Sequence, residues 1–138
     1  MPFATNIDYA KIKILIIEDE AHTRAIIRSQ LLNLGLREIA EAHNGKEGLI
    51  QLVKTRPHLA LCDVHMDTMD GLEFLKTLRA LKVEAVRNTP VIFLTADAQR
   101  DTVVFAKEHA VNGYLVKPVS VAQLKAHIDA VAEKLKLE

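Results

Sequence analysis

The stretch Ile12-Lys13-Ile14-Leu15-Ile16-Ile17-Glu18-Asp19-Glu20 decides how this chain folds. A nearly unbroken run of apolar, mostly β-branched residues stops abruptly at three acids, which is how a strand covered on both faces reads. The same form recurs at Leu59-Ala60-Leu61-Cys62 before Asp63 and at Val91-Ile92-Phe93-Leu94 before Thr95. A shorter version, Tyr114-Leu115-Val116, runs into Lys117-Pro118, and Glu38-Ile39-Ala40-Glu41-Ala42 alternates as an edge strand does. Helical periodicity fills the gaps. Ala25, Ile26, Leu31 and Leu34 form one apolar stripe, Leu49, Leu52 and Val53 a second, and Leu72, Leu75 and Leu78 a third. Val103, Val104 and Ala106 mark a less apolar helix near residues 99 to 109, and Val121, Leu124, Ile128, Val131 and Leu135 form a clear final stripe. Asn44 with Glu47, and Ser120 with Gln123, have the spacing of capping boxes at two helix starts. The order is βα five times, which predicts an α/β, (βα)5 doubly wound, five-stranded parallel sheet.

In such a sheet the C-terminal ends of the strands gather along one edge, and ligands bind there. Glu18 and Asp19, Asp63, Thr95 and Ala96, Tyr114, and Lys117 and Pro118 all fall at predicted strand ends. Residues scattered through the sequence are therefore expected to meet. Three carboxylates, a hydroxyl and an ammonium suit a divalent cation and a phosphoryl group.

Composition bounds the alternatives. The chain has 138 residues, about one domain, and no second domain fits. Its hydrophobic fraction is 49%, and 18 basic residues balance 18 acidic ones, which argues against both disorder and bulk attraction to nucleic acid. Cys62 is the single cysteine, and inside a buried strand it reads as an inert core thiol. Residues 1–10 lack the basic start and apolar stretch of a signal peptide, and no apolar run approaches the ~20 residues of a membrane span. We expect a cytoplasmic protein with a loosely held N-terminal extension over residues 1–10 and one domain over 11–138.

At this level the sequence resembles the receiver domains of two-component response regulators, from residue 11 to 136. The resemblance rests on the order and context of the Glu18-Asp19 pair, the segment from Asp63 through His65, Met66, Asp67, Thr68, Met69 and Asp70 to Gly71, then Thr95, Tyr114 and Lys117-Pro118. It implies the flavodoxin-like strand order 2-1-3-4-5 and a stand-alone, chemotaxis-regulator-like switch phosphorylated on Asp63.

The chemistry is consistent with the residues themselves. A carboxylate serves as a nucleophile toward phosphorus once the charges on both partners are neutralised. Each nearby acid adds like-charge repulsion of roughly 4 kcal/mol at ~4 Å for an effective dielectric near 20, so a cation is required. Mg²⁺ takes oxygen ligands and is typically held by one or two carboxylates, which suits Asp19 and Asp63 directly and Glu18 through a water. The resemblance adds the main-chain carbonyl of His65 to the metal shell and assigns Lys117 to a phosphoryl oxygen, with the Lys117-Pro118 peptide cis. It assigns Thr95 as hydroxyl donor to the phosphoryl group and Tyr114 as the ring that follows Thr95.

The partners it implies are a sensor histidine kinase or histidine phosphotransfer protein as donor, and a target protein on the face of the fourth helix, fifth strand and fifth helix. Direct contact with nucleic acid or membrane is not expected, and the expected state is a monomer or a weak phosphorylation-dependent dimer. Because the sequence stops soon after the last stripe, it is expected to act through another protein. As an enzyme it would catalyse only its own phosphorylation and dephosphorylation.

Taken singly, each residue also has an ordinary reading. Glu18, Asp19 and Glu20 would complement a helix N-terminus, Asp63 and Thr95 would close strands, Tyr114 would be a half-buried aromatic, and Lys117 a solvated charge. The six histidines show no metal-ligand spacing. Asp67 stands where the family usually has proline, and Glu18 where it usually has aspartate; His65 and Asp97 are expected to tune the lifetime of the acyl phosphate.

Three other functions compete. An aspartate-nucleophile phosphohydrolase generally carries an acid two residues after the nucleophile, where this chain has His65. A flavodoxin-like FMN carrier needs a Ser-, Thr- and Gly-rich loop where this chain has acids. A phosphorylation-independent interaction module of the same shape has no need of Asp19, Asp63, Thr95 and Lys117 together.

Overall fold

The computed structural model describes residues 7–66, 68–96 and 107–135. Five parallel strands form one sheet: β1 (Lys13–Ile17), β2 (Glu38–Ala42), β3 (Leu59–Asp63), β4 (Val91–Thr95) and β5 (Gly113–Val116). Their order is β2-β1-β3-β4-β5, as the sequence led us to expect. Helices α1 (Ala21–Leu34), α2 (Gly45–Thr55) and α3 (Gly71–Arg79) follow the first three strands, and a C-terminal helix, Val121–Lys134, follows the last. A one-turn helix, Glu84–Arg87, was not foreseen. Nearly all of the helix expected near residues 99 to 109, together with Asp67 and Asp97, lies outside the described residues.

Alternate side chains of a strand point to opposite faces, and here each face has its own core. Ile14 and Ile16 of β1, Leu59 and Leu61 of β3, and Ile92 and Leu94 of β4 pack with Ile27 and Leu31 of α1 and with Leu124 and Ile128 of the C-terminal helix. Leu15 and Ile17, Ala60 and Cys62, and Val91 and Phe93 pack on the other side with Leu52 of α2 and with Phe74, Leu75 and Leu78 of α3. At roughly 1.5–3 kcal/mol per fully buried aliphatic or aromatic side chain, these two layers account for why β3 and β4 carry no polar residue until their last position and β1 none after its exposed first residue, Lys13. Cys62 is fully buried in the second layer, and burial pushes its thiol pKa well up, so it is a core residue.

Helix starts explain much of the register. Ser120 and Gln123 form a reciprocal capping box, with Gln123 N–H donating to Ser120 Oγ (3.1 Å) and Ser120 N–H donating to Gln123 Oε1 (3.0 Å). Asn44 caps α2 by accepting from Glu47 N–H (2.9 Å), but Glu47 accepts from His43 N–H (3.3 Å) and not from Asn44. The expected box at α2 is therefore only half made. Asp70 caps α3 through Glu73 N–H (2.9 Å). Gly71 N–H donates to Val64 O (2.9 Å), and a Cβ at Gly71 would lie 2.4 Å from Asp63 O, so α3 starts hard against the end of β3 because that position has no side chain.

Residues 7–10, counted with the loose extension in the sequence reading, are held in place. Ile7 and Tyr9 pack against the first core layer, and the Tyr9 hydroxyl donates to the Asp129 carboxylate on the C-terminal helix. The physical reason is a partner 120 residues away, invisible to local pattern.

Candidate functional site

The strand ends deliver their polar residues to one edge of the sheet. β1 runs straight into Glu18, whose N–H donates to Ala42 O (3.0 Å) at the end of β2, so the chain turns only after Glu18. β3 ends on Asp63 itself and β4 on Thr95. Lys117 N–H donates to Thr95 O (2.7 Å), which continues the β4–β5 pairing by one step and sets Lys117 beside the other strand ends. The Lys117-Pro118 peptide is cis.

Glu18, Asp19 and Asp63 each bring a carboxylate oxygen within 4.8 Å of the others, and among the described residues they are the acids that meet in this way. Glu18 and Asp63 are 2% and 7% exposed, whereas Asp19 is exposed, so the cluster has a buried floor and an open side. Lys117 Nζ lies 2.5 Å from Glu18 Oε1 and 3.4 Å from Asp63 Oδ2. Burial is the main force raising the Glu18 pKa, and the charge of Asp63 adds to it; together they outweigh the contacts from Lys117 and Glu20 N–H and carry it to about 7. Burial pulls the other way on Lys117, but its contact with Glu18 and the charges of both carboxylates raise its pKa above the usual lysine value, so it is an ammonium at neutral pH. Two buried acids and one exposed acid, with an ammonium beside the buried pair, are a group of ligands of the kind that can hold a divalent cation.

Of the other residues singled out from the sequence, Thr95 and His65 end or follow the strands at this edge, whereas Tyr114 is the second residue of β5 and not at its end as expected. Thr95 is fully buried at the end of β4. Tyr114, on β5, is half-buried and meets Phe93 edge to face, with ring centroids 6.4 Å apart and planes at 80°. His65 is exposed in the loop after β3 and lines a shallow cleft of about 260 Å³ with Asp19, Met66 and Asp70. Its side chain is not among the clustered ligand groups.

Sequence reasoning missed Arg24. Its Nη1 donates to the main-chain oxygen of Glu18 (2.8 Å) while its Nε donates to Glu41 Oε1 (2.8 Å). Nothing periodic marks such a residue; the only signal was a basic side chain one turn and a half after the acids.

This geometry has counterparts. The sequence matches the response regulator receiver domain family over residues 14–129. The chain belongs to that family. This receiver domain is 37% identical over 123 residues to the chemotaxis protein CheY-3 of Vibrio cholerae serotype O1, covering 89% of this chain and 93% of the relative. It is 36% identical to the chemotaxis protein CheY of Pseudomonas aeruginosa, covering 89% and 98%. Among solved structures, the Vibrio cholerae chemotaxis protein CheY4 superposes with a TM-score of 0.79 at 28% identity, over 87% of this chain and 98% of that one. The signal receiver domain of a modulated diguanylate cyclase from Desulfovibrio desulfuricans G20 gives 0.78 at 33% identity, over 91% and 96%. The resemblance drawn from the motifs is borne out, and it places the receiver domain in two-component signalling rather than among conventional enzymes. Among the described residues, no helix is long and apolar enough to cross a membrane.

Proposed function

We propose that this receiver domain is a phosphorylation-activated switch that accepts a phosphoryl group on Asp63 from the phosphohistidine of a sensor kinase or phosphotransfer protein. The observation that carries the reading is the convergence of Glu18, Asp19 and Asp63 within 4.8 Å, with Lys117 Nζ 3.4 Å from Asp63 Oδ2. An Asp63 oxygen forms the new P–O bond as the donor's P–N bond breaks, and the histidine nitrogen leaves with the electron pair and takes up a proton. Asp19, Asp63 and, through a water, Glu18 would hold Mg²⁺, and the His65 carbonyl would be the further protein oxygen that the family resemblance implies. When bound, Mg²⁺ supplies positive charge that offsets the repulsion between Asp63 and the incoming group.

The remaining work belongs to the side chains. Lys117, already drawn to the carboxylates, pairs with a phosphoryl oxygen on Asp63. Thr95 donates its hydroxyl to another, and Tyr114 follows into the space that Thr95 vacates. Charge-assisted hydrogen bonds of this kind are strong enough to bias a two-state face that includes β5 and the C-terminal helix. A target protein docks there, or the group is passed onward. The domain catalyses its own phosphorylation and dephosphorylation and acts in the cytoplasm.

The test is incubation with Mg²⁺ and acetyl phosphate, followed by mass measurement, beside Asp63→Ala. An Mg²⁺-dependent gain of one phosphoryl group that the variant lacks supports the reading. Absence of any gain from acetyl phosphate and from kinases overturns it in favour of a phosphorylation-independent module.

A further inference from the structure

The turn that carries Glu18 and Asp19 into the site is short, and α1 begins after it without a side-chain cap, since Glu20 at the cap position makes no such bond to the helix. The turn is held in part from within, Glu20 N–H donating to Glu18 Oε2 (3.3 Å) and the Thr23 hydroxyl to the Glu20 carboxylate, but neither bond fixes the Glu18 carbonyl. The Arg24 side chain reaches back over it, Nη1 donating to Glu18 O (2.8 Å). The guanidinium is itself fixed, because Nε donates to Glu41 Oε1 (2.8 Å) on β2, and the other oxygen of Glu41 is held by Arg28 Nη1 (2.8 Å). Arg24 is only 12% exposed. An edge-strand acid with no contact to the three clustered carboxylates thus determines where an arginine sits, and that arginine determines where the Glu18 carbonyl sits.

The geometry points to Arg24 as a positioning residue for the cation site, held in register by Glu41, fixing the main-chain turn that presents Glu18 and Asp19 to Asp63. The inference rests on reading these three acids as the cation site. Two properties of Arg24 oppose each other. As a cation near the acids it repels a divalent ion, so loss of its charge alone would tighten cation binding. As a positioning residue it preorganises the ligands, and loss of such an outer contact weakens metal binding by about 10- to 100-fold. The sign of the change therefore decides between the two. Arg24→Lys sharpens the comparison, because it keeps the charge but lacks the fork that bonds two acceptors at once.

The experiment is an Mg²⁺ titration of the full chain, followed by amide NMR shifts, for wild type, Arg24→Met, Arg24→Lys and Glu41→Gln. Amide hydrogen exchange at Glu18 and Glu20 is measured on the same metal-free samples. We expect the Mg²⁺ dissociation constant to rise at least about tenfold in both Arg24 variants, less in Glu41→Gln, with faster exchange at both amides. Mg²⁺ binding that is unchanged or tighter in Arg24→Met or Arg24→Lys overturns the inference, whatever happens to thermal stability. If wild type itself binds no Mg²⁺, the cation-site reading fails; the positioning role then stands on faster exchange in Arg24→Lys and falls if exchange is unchanged.

Discussion

Lys117 and Glu18 are in direct contact, Nζ to Oε1 at 2.5 Å, with the carboxylate 2% exposed and the lysine side chain 22% exposed. This ammonium offsets the charge of the buried carboxylates, the role that a divalent cation would take over when Lys117 turns to a phosphoryl oxygen in the proposed reaction. We predict that Lys117→Met lowers the stability of the metal-free domain by roughly 1–3 kcal/mol at neutral pH, because a buried acid loses its donor. Mg²⁺ affinity should rise in the same variant, since a competing positive charge is gone, while phosphoryl uptake falls. Thermal unfolding, calorimetric Mg²⁺ titration and mass measurement after acetyl phosphate treatment check the three parts separately.

The acid cluster also predicts a response to metal removal. A ligand present at about 100 times its dissociation constant stabilises the native state by roughly 2.7 kcal/mol. Thermal unfolding of the wild type should therefore shift upward on adding Mg²⁺ and back on chelation. The shift should shrink strongly in Asp63→Ala and in Asp19→Ala. An equal shift in all three proteins would mean that Mg²⁺ binds elsewhere.

Gly71 sets how close α3 comes to Asp63. A Cβ there would lie 2.4 Å from Asp63 O and 2.9 Å from Val64 Cα, both main-chain atoms with little freedom to move. Gly71→Ala should cost about 1–3 kcal/mol of stability from overpacking and slow phosphoryl uptake by displacing Asp63. Chemical denaturation, together with the acetyl phosphate assay on the folded fraction, measures both.

His58 gives the domain a pH dependence far from the site. The His58 main-chain N–H donates to Lys13 O (2.8 Å), and Lys13 N–H donates to His58 Nδ1 (3.0 Å), a bond that needs the neutral ring. Burial, then the charge of Lys13, lowers the His58 pKa below its usual value, against the opposing pull of Glu38. The folded state therefore binds fewer protons than the unfolded state. The stability from this group is fully present above about pH 6.5, the unfolded value, and declines as pH falls through the folded pKa. His58→Asn should flatten the loss of stability between pH 7 and pH 5, read from denaturation midpoints across that range.

His65 stands at the open side of the site, exposed and lining the cleft with Asp19 and Asp70. Substitution by alanine should change the rate at which the proposed acyl phosphate on Asp63 hydrolyses. Decay of the phosphorylated mass with time is the measurement, and identical decay would remove His65 from any such role.

The strands were legible because a doubly covered sheet demands unbroken apolar runs, and Ile14–Ile17, Leu59–Cys62 and Val91–Leu94 supply them. Their ends were legible for the same reason, since an acid or hydroxyl is tolerated only where the strand leaves the core. That put Glu18, Asp63 and Thr95 at the ends of β1, β3 and β4 before any coordinates. What stayed hidden is polar and long-range. Arg24 and Glu41 are 17 residues apart on a helix and an edge strand, and neither position is singled out by period or motif. Glu47 chose His43 N–H over Asn44, a competition between two adjacent donors that spacing cannot resolve. The helix Glu84–Arg87 has a single turn, too short for a stripe.

The Tyr9–Asp129 contact spans 120 residues, the whole alternation of strands and helices. A contact of that separation closes a long loop and is compensated only when both helical layers are already packed. The Tyr9 contact is therefore expected to form late, as a latch between the segment before β1 and the C-terminal helix. Its loss should speed unfolding far more than it slows folding.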